Sequence, residues 1–275
     1  MKSFLYKSFF VFGSLMLAGK IVRAQQRLFL LAGQSNAVGQ GDSRTSAKYQ
    51  CPTCFDYNAK KDSLSVLKDP VGQDDQYFNK ANTGSIAPAL ATTLHKLTGD
   101  SIVIVSAARG GSSCHQKAEL KAYGSWAETG RLLLFAPTIE KIKKAERRVK
   151  HRVDGIIWMQ GERDANTIND KLMTADEYET ALTTLIARFR TELGANLPFF
   201  IVLTGYYANH PREGYDEVRR IQRKVARQVP GVQLISVDPG QFPDKDWMTD
   251  EIHYSQAGLN KVGEAVANQI TSQKK

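Results

Sequence analysis

Four short polar clusters stand out because each follows an apolar run or closes a loop. Gly33-Gln34-Ser35-Asn36 follows the run at 27–33, and its serine hydroxyl is a candidate nucleophile. Ala107-Ala108-Arg109-Gly110-Gly111-Ser112 follows the run at 101–107; paired glycines let backbone come close to a ligand, so an N–H there is a candidate oxyanion donor. Gln160 and Glu162 lie in Trp158-Met159-Gln160-Gly161-Glu162-Arg163-Asp164, where the Gln160 amide is a second candidate donor. Near the C-terminus, Asp250 precedes His253 by three residues, close enough for the carboxylate to fix the imidazole tautomer and steady the imidazolium. A nucleophile, oxyanion donors, a base and its orienting acid are the components of acyl transfer. Each cluster alone has a bland reading, such as a helix cap or a glycine turn; their order along the chain makes the case.

The elements that must position these residues are legible as periodicity. Runs at 27–33, 101–107, 153–159, 198–204 and 232–237 are nearly continuously apolar, as strands covered on both faces require. Helical patterns at 85–97, 131–150, 174–193, 212–229 and 255–271 alternate with them, and Thr174 with Glu177 three residues on makes a capping box. This alternation predicts one α/β domain over 25–275, a three-layer α/β/α sandwich on a parallel sheet of about five strands. Ligands bind such sheets beyond the strands' C-terminal ends, where three of the polar clusters fall. Residues 39–84 break the rhythm and show no clear strand–helix unit, yet Tyr49, Phe55, Tyr57, Tyr77 and Phe78 argue for an ordered surface there.

The N-terminus reads as a secretory signal peptide over residues 1–24. Lys2 and Lys7 start it, an apolar stretch at 9–18 follows, and Val22-Arg23-Ala24 offers a cleavage site. Lys20 and Arg23 are unusual there and leave a retained anchor open. Four basic residues leave with the leader, so the formal +9 falls to about +5 in the mature chain. Most remaining cations lie at 140–152 and 212–227, read as solvated helix faces; Arg219, Arg220, Arg223, Lys224 and Arg227 have no accompanying aromatics of the kind a nucleic-acid site needs. Of three cysteines, Cys51 and Cys54 form a C-x-x-C. Zinc would need further ligands, and a local disulfide in an oxidising compartment is the plainer reading. Cys114 is left as a spare thiol or an alternative partner for either.

Gly33–Asn36, the R-G-G-S at 109–112, the W-x-Q-G-E-x-D at 158–164 and the D-x-x-H at 250–253 together resemble the blocks of SGNH hydrolases, in particular the carbohydrate esterase family 6 and sialate O-acetylesterase-like branch, where Gln stands in the third block. The resemblance spans nearly the whole mature chain. It implies a two-step serine esterase without cofactor or metal, with Ser35 as nucleophile, His253 as base, Asp250 as its partner and oxyanion donors from Ser35, Gly110 or Gly111 and Gln160. Glu162 matches a family position and is expected to anchor the Gln160 turn. Arg109 departs from the small or apolar residue that many acetylxylan esterases carry there; it is either a clamp for a substrate carboxylate or a loop tie. Asn36 and Trp247 are further substrate-binding candidates, with Trp126 a second indole for sugar stacking; His95, His115, His151 and His210 are expected to be structural.

The expected function is removal of O-acetyl groups from a carbohydrate by an exported, periplasmic or secreted enzyme, with an acetylated poly- or oligosaccharide as partner and neither nucleic acid nor, after leader removal, membrane. A sialate esterase acting on an acidic sugar is the nearest alternative. A carbohydrate-binding protein with an unused cleft, and an enzyme for longer acyl esters, are the readings of another kind.

Overall fold

The computed structural model describes residues 24–48 and 51–272, so all of the expected leader except Ala24 lies outside the described residues. Strand β1 (Gln26–Gly33) leads into a single helical turn, α1 (Ser35–Val38). A hairpin of β2 (Cys54–Asn58) and β3 (Ser63–Val66) precedes helix α2 (Ala87–Thr98) and strand β4 (Ser101–Ala108). Helix α3 (Phe135–Val149), β5 (Gly155–Met159), α4 (Glu162–Asn169), α5 (Ala175–Leu193) and β6 (Phe199–Ile201) follow, then α6 (Glu213–Gln228), β7 (Val232–Leu234) and α7 (Gln256–Ser272).

The strands form one sheet in the order β3-β2-β4-β1-β5-β6-β7, parallel except for the antiparallel edge strand β3. Central β1 pairs with β4 on one side and β5 on the other. Alternate residues of β1 serve opposite layers: Leu28 and Leu30 join the core beneath α3, α5 and α6, whereas Phe29 and Leu31 join the core shared with α2 and α7. Burial on both faces is why β1, β4 and β5 are nearly continuously apolar. The capping box of α5 is formed, with the Thr174 hydroxyl accepting from the Glu177 N–H and the Glu177 carboxylate accepting from the Thr174 N–H.

The α/β/α sandwich is as expected, but the sheet has seven strands rather than about five. The two extra strands come from residues 39–84. They are short, β3 lies half or fully exposed at the edge, and polar residues interrupt both, so neither carries the apolar run of a central strand. A disulfide joins Cys51 to Cys54 beside this hairpin, as the local reading expects, and Cys114 is free and buried. The basic helices also differ from a simple solvated face. Lys141 is buried and donates to the Ser106 carbonyl, and Arg219 is buried against the Asp238 carboxylate, both of whose oxygens it reaches at 2.8 Å. Burial pushes the Lys141 ammonium below its ordinary pKa, with Asp75 and Asp56 opposing. No helix among the described residues is long and apolar enough to cross a membrane.

Candidate active site

The chain reverses its direction of winding at β1, with β4 placed on one side and β5 on the other, so a crevice opens at the C-terminal ends of these three strands. Ser35 is the first residue of α1, immediately beyond β1. The turn that presents it needs glycine at 33: φ is +139°, and a Cβ there would lie 2.0 Å from the Met159 carbonyl oxygen of β5. The Gln34 N–H donates to that same carbonyl at 2.9 Å, and the Gly33 carbonyl accepts from the Arg109 N–H at 3.1 Å and the Ser112 hydroxyl at 3.2 Å. Ser35 is thus held by bonds to both neighbouring strand ends.

His253 arrives from far along the chain. Residues 249–254 form a tight turn, closed by a bridge between Met248 and Tyr254 and a bond from the Thr249 N–H to the His253 carbonyl at 2.8 Å. Asp250 builds this turn itself: one carboxylate oxygen accepts from the Ile252 N–H at 2.9 Å and the His253 N–H at 2.7 Å. Its other oxygen lies 2.8 Å from His253 Nδ1, and His253 Nε2 lies 3.0 Å from Ser35 Oγ. Partial burial opposes ionisation of Asp250. The bonds from the His253 ring and from the Ile252 and His253 N–H groups outweigh it and hold the carboxyl below its ordinary value.

Asn36 fastens this turn to the strand-end cluster. Its Nδ2 donates to Glu162 at 2.9 Å and to the Ile252 carbonyl at 3.3 Å, while its Oδ1 accepts from the Tyr254 N–H at 3.1 Å. At 1% exposure it has no face for substrate, which corrects its expected role as a substrate contact. Glu162 likewise holds Asn36, and through it the histidine turn, while the backbone N–H groups of residues 161 and 162, in the turn that follows Gln160, also bond its carboxylate. Burial raises its carboxyl above the ordinary value, against the Asn36 bond and the backbone N–H groups of residues 161 and 162.

Gln160 is 1% exposed, and its amide nitrogen donates to the Asp164 carboxylate, to the Ser112 carbonyl and to Gln34 Oε1. These acceptors hold it as a brace between the ends of β4 and β5, in place of the free donor expected from the sequence. Asp164 also accepts from the Cys114 and His115 N–H groups, and burial still pushes its carboxyl up to about 6. Gly110 lies beside Ser35, since a Cβ there would be 4.0 Å from that of the serine. Its N–H is capped at 2.9 Å by Asn79 Oδ1, whereas no bond from Gly111 N–H is formed among the described residues. Asn79 comes from the irregular segment before α2, docked by its own N–H to the Ala108 carbonyl. No motif in that segment marks it in the sequence.

Arg109 ties loops together: Nη1 donates to the Gln76 carbonyl at 3.0 Å and Nη2 to the Ala122 carbonyl at 2.9 Å. The loop-tie reading therefore replaces the carboxylate clamp. Trp247 packs edge-on against Phe242 with Lys245 over its ring, and Trp126 is buried edge-on against Trp158, so neither indole is an open platform. His95 and His151 bond to Asp100 and Asp154, His115 caps a short helix, and His210 stacks on Tyr207 at 3.7 Å. No cluster of three or more His, Cys, Asp or Glu among the described residues is arranged to hold a metal ion.

The architecture is shared with solved structures of low sequence identity. A protein from Arabidopsis thaliana superposes with a TM-score of 0.69 at 20% identity, covering 91% of this chain and 99% of that one. NanS gives 0.66 at 18% identity, covering 92% and 99%. XAC1771, a carbohydrate acetylesterase from Xanthomonas citri, gives 0.57 at 20% identity, covering 90% of this chain and 57% of that one. No curated protein sequence matches this one. The sequence does match, over residues 25–272, the family described as carbohydrate esterase, sialic acid-specific acetylesterase, and the chain belongs to that family.

Proposed function

We propose that this protein releases acetate from O-acetylated sugars through an acetyl-serine intermediate on Ser35. The observation that carries the reading is the continuous hydrogen-bond path from Ser35 Oγ through the His253 ring to Asp250. In the first step Ser35 Oγ attacks the acetyl carbonyl while His253 Nε2 takes its proton. The imidazolium, steadied by Asp250, returns that proton to the departing sugar oxygen. Water then attacks the acetyl-serine with His253 again as base, giving acetate and free Ser35.

The N–H groups of Ser35 and Gly110 are the proposed oxyanion donors, with Gly111 N–H beside them. In this reading the substrate oxygen replaces Asn79 Oδ1 on Gly110. Gln160 contributes by holding the ends of β4 and β5 in register.

The coarse class, a carboxylic ester hydrolase for carbohydrate acetyl esters, follows from family membership. The finer proposal is a neutral acetylated glycan of the xylan kind. It is supported by the engagement of Arg109 with two backbone carbonyls, which leaves the guanidinium a loop tie. Acetate release measured over a panel of acetylated xylans and O-acetylated sialic acids tests it. Higher kcat/KM on the xylans is the expected result, and the reverse order makes the enzyme a sialate esterase. Serine-directed covalent labelling at Ser35 separates either enzyme from a binding protein with an unused cleft. The leader at 1–24 is part of the same proposal, which has the enzyme act outside the cytoplasm.

A further inference from the structure

Tyr123 is a large aromatic side chain left 46% exposed on the loop that follows the paired glycines. This ring is not a frayed loop tip. Its N–H donates to the Leu120 carbonyl at 3.1 Å, and the next residue, Gly124, accepts from the Ser113 N–H at 3.1 Å. Glu119 grips the far end of the loop through the Arg131 and Leu132 N–H groups at 2.7 and 2.9 Å.

Its position relative to the nucleophile is set by Gly111. That residue has φ +71°, and a Cβ there would lie 2.9 Å from Tyr123 Cγ, so the absence of a side chain makes room for the ring. Gly111 directly follows Gly110, which borders Ser35. Arg109, the residue before, reaches over to the Ala122 carbonyl, adjacent to Tyr123, and to the Gln76 carbonyl of the segment before α2. Three consecutive residues therefore border the nucleophile, seat the aromatic ring and tie its loop.

We propose that Tyr123 is the sugar platform of this esterase, stacking its ring on the apolar C–H face of the pyranose whose acetyl group enters at Ser35, and that Arg109 is the positioning residue that sets the ring. This assignment rests on the esterase reading above and specifies where the sugar lies. A pyranose offers a flat set of axial C–H bonds to an aromatic face, while its hydroxyls stay in water. Recognition by stacking needs no charge on the sugar.

The test uses protein that cannot turn substrate over. Ser35→Ala protein is titrated with an acetylated xylo-oligosaccharide and with O-acetylated sialic acid, beside Ser35→Ala/Tyr123→Ala and Ser35→Ala/Tyr123→Phe. The expected result is a roughly tenfold weaker Kd on loss of the ring, recovered by Phe, which keeps the face and lacks the hydroxyl. Equal affinities with and without the ring overturn the platform, as does absence of binding to both probes or failure of Phe to recover it. In the active protein, Tyr123→Ala is expected to raise KM on the oligosaccharide while kcat falls less, and adding Arg109→Ala to it costs little more. Rates on p-nitrophenyl acetate report separately on Ser35 and His253. Absence of that reaction in the unmodified protein defeats the esterase reading, while the titration still judges the ring.

Discussion

The two halves of the candidate site are held by opposite means. Ser35 sits in a buried mesh, in which Gly33, Gln34, Ser112, Gln160 and Asp164 bond one strand end to the next. His253 sits on a solvent-facing turn that Asp250 braces from within, with the Asp250 side chain 51% exposed. The mesh derives its rigidity from the sheet and from the cost of leaving buried polar groups unpaired. The turn derives its shape from local chemistry and its placement from Asn36, the one side chain that bonds to both Glu162 and the backbone of the turn. Ser35 thus inherits its position from the fold, and His253 is delivered to it by a tether.

That contrast can be broken in steps of decreasing size. Removing either end of the proposed proton path, by Ser35→Ala or His253→Ala, is expected to cut acetate release at least about a thousandfold with little change in Tm, because in the proposed mechanism both groups act in the chemistry. Asp250→Ala removes the imidazole partner and the closure of the turn together, and a loss of about a hundredfold in kcat/KM is expected. Asp250→Asn, whose amide oxygen can still accept the two N–H bonds of the turn, should lose less; equal losses would assign Asp250 to tautomer control alone. Asn36→Ala cuts the tether without touching substrate. An approximately tenfold drop, mainly in kcat, is expected, with a Tm loss that Asp250→Ala does not share, since only Asn36 is buried.

The smallest effect sharpens the electrostatics of the buried half. Burial raises the Glu162 carboxyl above its ordinary 4.5. The folded protein therefore holds this proton more tightly than the unfolded chain does. Its contribution to stability is fullest below that value and is lost as pH rises through the folded-state pKa. Glu162→Gln keeps an acceptor for Asn36 Nδ2 and has no proton to lose. The Tm of the variant relative to the unmodified protein should climb as pH is raised from about 4 to 8, with activity within about threefold. A pH-independent difference would mean that burial does not disfavour the ionised carboxyl.

The chain's local patterns already specify much of this molecule. Five apolar runs mark β1, β4, β5, β6 and the edge strand β7, most plainly where both faces are covered, and the capping box at Thr174 and Glu177 marks the start of α5 because its bonds span three residues. The D-x-x-H spacing marks the histidine turn for the same reason. Asp250 braces that turn through one carboxylate and two neighbouring N–H groups. Tertiary structure decided what depends on distant neighbours. The Ser35 to His253 contact joins residues 218 apart. The β2–β3 hairpin joins the sheet through the pairing of β2 with β4, 48 residues on at Cys54 and Ile102. Asn36 and Gln160 turn inward because buried partners await them, Arg109 bonds backbone carbonyls, and Asn79 and Tyr123 reach Gly110 and Gly111 from irregular segments that no periodicity marks. Bonds within one turn can be read from adjacent residues, whereas burial and the choice among competing hydrogen-bond partners exist only once the layers have come together.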